Sequence, residues 1–148
     1  MKKQHLPQEI SLWIDKHLKL LGHSLVKAPK MAKSILTISN DFQDIASVTP
    51  WKEAESQAAY LSYFFPLNYI RTLKVLDEAN QWNFFEGVEE ILDFGCGPGT
   101  VTKALLQSPP PSLKNIQGVD LYSELANYFL DTPRGQVSLD FKTEKTMK

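Results

Sequence analysis

The chain has 148 residues, 43% of them hydrophobic, with a formal net charge of −1. That is a folding composition with the length of one ordinary domain, and no apolar run approaches the ~18–20 residues that span a bilayer. One cysteine excludes an internal disulfide framework and a cysteine-based zinc site, and Met1-Lys2-Lys3 has no apolar segment behind it to make a secretory signal. A cytoplasmic protein is the default expectation.

Charge is uneven along the chain. Residues 1–33 carry seven lysines against Glu9 and Asp15, a balance of +5, and the remainder is at −6. A basic helical arm of this kind either lies on RNA phosphates or is a solvated lysine face, and no RNA-binding signature with interleaved aromatics and arginines decides between them.

The first ninety residues read as helical. Ile10, Trp13, Ile14, His17, Leu18 and Leu21 recur at helical spacing, and Gly22 supplies a stop. His17 lies on that apolar stripe as a packed side chain. His5 and His23 lack partners at metal-ligand spacing, so no metal is expected. A second helix runs from about Pro29 to Ser39, with proline tolerated in its first turn. Thr49-Pro50 reads as a helix start, hydroxyl cap followed by proline. That helix continues through Ala54, Ala58, Leu61 and Phe64 until Pro66 interrupts it. A further helix from about Leu67 to Asn80 follows. Tyr60, Tyr63, Phe64, Phe65 and Tyr69 are expected to be mostly core.

From Glu89 the period changes. Glu90 to Phe94 reads as a buried strand and Thr100 to Gln107 as a helix. Ser108-Pro109-Pro110-Pro111-Ser112 is a stiff loop. Asn115 to Asp120 makes a second strand, Glu124 to Leu130 a helix and Val137 to Phe141 a third strand. Alternation of this kind implies parallel βαβ units. The expected fold is therefore α/β: a helical region over residues 1–88, then a partial Rossmann-like parallel sheet of about three strands over 89–148.

Within it, Asp93-Phe94-Gly95-Cys96-Gly97-Pro98-Gly99 joins the first strand to its helix, and Asp120 closes the second strand twenty-one positions after Gly99. Glycines let the backbone turn tightly and approach a ligand, and a later carboxylate can grip a ribose diol. A nucleoside-containing cofactor is the natural occupant. The glycine spacing departs by one residue from the dinucleotide fingerprint, and the anionic Asp93 would repel a diphosphate but suit an ammonium group. S-adenosylmethionine carries an amine, a carboxylate and a sulfonium and no phosphate; NAD or FAD is the alternative. Cys96, inside the turn, reads as a packed small side chain rather than a nucleophile.

The turn resembles motif I of the Rossmann-like (class I) methyltransferases, and the position of Asp120 matches their ribose-binding acid. The resemblance implies Asp93 near the methionine amine, Gly95 and Gly97 against the methionyl and ribose parts, Asp120 on the ribose hydroxyls, and Phe94, Cys96, Gly99 and Leu121 completing the cofactor site. Ala59 to Tyr69, Leu76-Asp77-Glu78 and Leu92 to Thr100 together resemble the ribosomal small-subunit methyltransferase-like proteins of bacteria and mitochondria, over roughly residues 50–125. This implies methylation of rRNA or a part in small-subunit assembly, with rRNA or the small subunit as partner. Members typically carry cysteines for an iron–sulfur cluster farther along; this chain has none of them. Pro109-Pro110-Pro111 precedes the second strand and lacks the acidic or amide and aromatic flanks of the methyltransferase acceptor motif, so it reads as a spacer. A complete fold of this type has about seven strands, which makes the chain look like its N-terminal half, with no catalytic base to nominate. A non-catalytic binding protein in ribosome assembly, or an inactive truncated fragment, are the competing expectations.

Overall fold

A computed structural model describes residues 5–24, 28–44, 51–130 and 137–144. Two compact units, Met1–Ile70 and Arg71–Lys148, divide inside a helix, earlier than the change of period near residue 88.

In the first unit α1 (Gln8–Leu20) buries Ile10, Trp13, Ile14, His17 and Leu18, the stripe its spacing predicts. It ends where Gly22 takes a left-handed φ of 77°. His17 is packed: its Nδ1 lies 2.9 Å from the Trp13 carbonyl. Trp13 also stacks on Phe65, with ring centroids 4.8 Å apart. Helix α2 (Ala28–Asp41) contributes Met31 and Ile38 to the core. The helix start expected at Thr49-Pro50 lies outside the described residues.

The interruption expected at Pro66 is absent. Instead α3 (Ala54–Ala59), a π-helical turn (Tyr60–Phe64) and α4 (Phe65–Gln81) follow without a loop. Proline has no N–H and its ring crowds the carbonyl four residues back, a conflict that an alternative hydrogen-bonding pattern beside it absorbs. Of the aromatic run, Tyr60, Phe65 and Tyr69 are buried, Phe64 is half-buried and Tyr63 is exposed. Burial, with a smaller contribution from the charge of Glu9, pushes the Tyr69 hydroxyl up to about 12.

The second unit holds β1 (Glu90–Phe94), α5 (Thr100–Gln107), β2 (Asn115–Asp120), α6 (Glu124–Phe129) and β3 (Ser138–Thr143). The sheet is all-parallel in the order β1-β2-β3, consistent with a partial α/β fold. Ile91, Ile116 and Leu139 stand in register, as do Asp93, Gly118 and Phe141. These rows face α5 and α6. Leu105 and Leu113 pack with Ile116 beneath Leu76, Ile91 and Leu139, and Ala126, Leu130 and Cys96 pack with Leu139 and Phe141.

The other face corrects the expectation of a fully buried first strand. Leu92 and Phe94 are 60% and 66% exposed. Successive crossovers of one hand that advance strand by strand put both connecting helices on one side of the sheet, so neither α5 nor α6 covers the side that Leu92 and Phe94 face.

Candidate functional site

The glycine turn begins where β1 ends. Gly95, Gly97 and Gly99 have φ of 73°, 48° and 81°, a left-handed backbone that side chains rarely adopt. Beyond that shared requirement their surroundings differ. A Cβ on Gly95 or Gly97 would meet nothing within 4 Å, so space is open beside both. A Cβ on Gly99 would come within 2.6 Å of Leu130 Cδ1, so this glycine serves helix packing.

The N–H groups of the turn are engaged within the chain. Those of Gly95 and Cys96 donate to the Val119 carbonyl at 2.7 and 3.2 Å, and that of Gly99 to the Cys96 carbonyl at 2.8 Å. Gly97 donates to Asp120 Oδ2 at 2.9 Å. Pro98 has no N–H to offer. A pyrophosphate cradle needs backbone donors pointing at the ligand, and the donors of residues 95–99 already have internal acceptors.

Two carboxylates accompany this turn. Asp120, the last residue of β2, accepts from Gly97 through Oδ2 and from the Tyr122 N–H through Oδ1, at 2.8 Å. Its carboxylate thereby ties the turn to the start of the β2–α6 loop. Each oxygen has two lone pairs, so capacity for ligand hydroxyls remains.

Asp93 is 9% exposed and accepts from the Thr102 hydroxyl through Oδ2 at 2.7 Å. The Thr102 N–H also donates to this carboxylate. Thr102 is the third residue of α5, and the residue preceding that helix is Gly99, which has no capping side chain. Asp93 therefore does from the neighbouring strand what an N-cap side chain does locally. Burial raises the Asp93 pKa above the ordinary carboxylate value; the two bonds from Thr102 oppose that shift, and the charge of Asp120 adds to it.

Cys96 is buried, and its thiol is pushed up to about 12 by burial first and by Asp93 and Asp120 next. These surroundings disfavour the thiolate, which is the nucleophilic form. Its Sγ lies 3.1 Å from where a Gly118 Cβ would stand, and the Phe141 ring occupies the same place more closely. Gly118 is thus required by packing, a role the strand pattern alone does not reveal.

The other expected residues fall to the edges of this arrangement. Phe94 projects on the uncovered face of the sheet, opposite to Asp93, and Leu121 is 44% exposed just after Asp120. Structure thus brings Asp93, Gly95, Cys96, Gly97 and Asp120 together around one turn, uses Gly99 as a packing contact, and puts the Phe94 side chain on the other side of β1. Sequence reading missed Thr102. The available signal was a hydroxyl residue at the third position of a helix whose cap is glycine.

A separate cleft of about 590 Å³ lies between the α4–β1 and α5–β2 connections, lined among others by Asn80, Asn83, Phe85 and Glu86. Pro109, Pro110 and Pro111 form part of its wall. Its lining includes none of the glycine-turn residues. Among the described residues no group of three or more His, Cys, Asp or Glu side chains could hold a metal ion, and no helix is long and apolar enough to cross a membrane. No family model matches the chain, and neither a curated protein nor a solved structure is detectably similar to it.

Proposed function

We propose that this chain carries the cofactor-binding part of an S-adenosylmethionine-dependent methyltransferase. The observation that carries the reading is the glycine turn itself. Its N–H donors have internal acceptors, space is open at Gly95 and Gly97, and two carboxylates, Asp93 and Asp120, accompany it. Such a site disfavours phosphates and accepts a ligand with cationic groups and a diol. S-adenosylmethionine offers both and supplies a methyl group bound to a sulfonium. NAD and FAD bring a pyrophosphate to the turn, which the internal hydrogen bonds and the two acids oppose.

The residues present fit the cofactor. Gly95 and Gly97 would admit its methionyl and ribose parts, Asp120 would hold the ribose hydroxyls, and Asp93 would face the amine. Leu121, exposed beyond Asp120, is available to an adenine face. What these residues do is orient the ligand, and in group transfer from an activated donor positioning supplies much of the rate. The acceptor reading, rRNA or the assembling small ribosomal subunit, rests on the tyrosine-proline helix and the basic N-terminal region.

The test is isothermal titration of the purified chain with S-adenosylhomocysteine and with NAD, beside Asp120→Ala. Selective binding of S-adenosylhomocysteine, weakened at least tenfold in the variant, supports the reading. Binding of NAD in preference, or of neither ligand by a cooperatively folded chain, overturns it. Transfer of labelled methyl to small-subunit rRNA then separates an enzyme from a non-catalytic binding protein.

A further inference from the structure

Asp93 serves α5 as a cap from a neighbouring strand and not from the position that precedes the helix. Position 99 has a left-handed φ of 81° and no room for a Cβ, so a serine or threonine cannot cap α5 locally, and a carboxylate comes from β1 instead. That carboxylate is almost wholly out of solvent, where an ionised group is disfavoured unless donors hold it. Its two donors come from one residue, Thr102, whose side chain is fully buried. A carboxylate has about four acceptor sites, so two donors leave lone pairs for a further partner.

We propose that Thr102 is a positioning residue of this site: its hydroxyl and N–H hold the Asp93 carboxylate ionised and turned so that its remaining lone pairs receive the ammonium group of an amino-acid-bearing ligand. The inference rests on the cofactor reading above, in which Asp93 faces the amine, and adds the residue that holds Asp93 in place. Thr102 touches no ligand itself. Valine at this position keeps the shape and removes the hydroxyl donor; serine keeps the donor.

The experiment compares S-adenosylhomocysteine with its analogue lacking the α-amino group, titrated into the parent chain, Thr102→Val and Thr102→Ser. The parent is expected to prefer the amine-bearing ligand at least tenfold, Thr102→Val to lose at least fivefold of that preference, and Thr102→Ser to keep it. A preference unchanged in Thr102→Val overturns the proposal and leaves the cofactor reading standing. Binding of neither ligand by the parent overturns both.

Should Thr102→Val not fold, the parent still decides. The buried Thr102 hydroxyl proton, followed by NMR, is expected to shift on addition of S-adenosylhomocysteine and much less with the desamino analogue. Equal shifts overturn the proposal.

Discussion

Up to Ile70 the buried polar side chains among the described residues are His17 and Ser56, set in a core of apolar and aromatic groups. Beyond Arg71 they are Asp93, Thr100, Thr102 and Ser123, and they lie near the carboxyl end of β1 and in the segments that follow β1 and β2. The ionisable side chain buried in the helical unit, His17, meets a backbone carbonyl one turn away on its own helix. The one buried in the sheet unit, Asp93, is held by a hydroxyl from a different element, α5. Placing Asp93 there disfavours its own charge, and retained disadvantages of this kind are expected at functional sites rather than in scaffolds. The difference separates a region that can be repacked from one in which individual atoms matter.

The sharpest way to probe the packed region is Phe65→Ala. Phe65 is fully buried and stacks on Trp13, so the truncation should cost about 3–5 kcal/mol. Denaturant unfolding measures it, and a loss below about 1 kcal/mol would mean the helical core is not packed as described.

Next in size is Gly118→Ala. Its new methyl group would collide with the Phe141 ring across the β2–β3 pair, and overpacking of this kind costs about 1–3 kcal/mol. Adding Phe141→Leu should return part of that loss; no return would mean the clash lies elsewhere.

The smallest stability effect is expected from Asp93→Asn, and its sign is the informative part. A raised pKa means that, just above the ordinary carboxylate value, the native state keeps a proton the unfolded chain has released. The contribution of Asp93 to stability is therefore present below the unfolded pKa and is lost as pH rises through the folded one. Asp93→Asn should remove this slope and leave the protein at pH 7 at least as stable as the parent, within about 1 kcal/mol. Its affinity for S-adenosylhomocysteine should nevertheless fall. A variant destabilised by more than about 2 kcal/mol with unchanged affinity would make Asp93 a structural cap and nothing more.

Most of the second unit was legible residue by residue. Asn115–Asp120 forms the expected strand and Thr100–Gln107 the expected helix, because alternation of period and the positions of glycine and proline are local properties of the chain. The third strand starts one residue and ends two residues later than its apolar pattern suggests, at Ser138 and Thr143, because pairing with Asp120 rather than hydrophobicity sets its end. The fusion of two predicted helices across Pro66 through the π-helical turn was not legible, since proline statistics describe isolated helices and not one whose neighbouring turn adjusts.

By itself the sequence determined the order of elements, the stripe on α1, the glycine turn and the pair of acids at the ends of β1 and β2. All of these follow from spacing along the chain and the conformations each residue type allows. Only the tertiary structure decided which face of β1 is left uncovered, which glycine serves packing rather than open space, and that Thr102 is the residue holding Asp93. Those outcomes depend on side chains distant in sequence meeting in a low-dielectric interior, where a hydrogen bond or a missing methyl group acts through its neighbours.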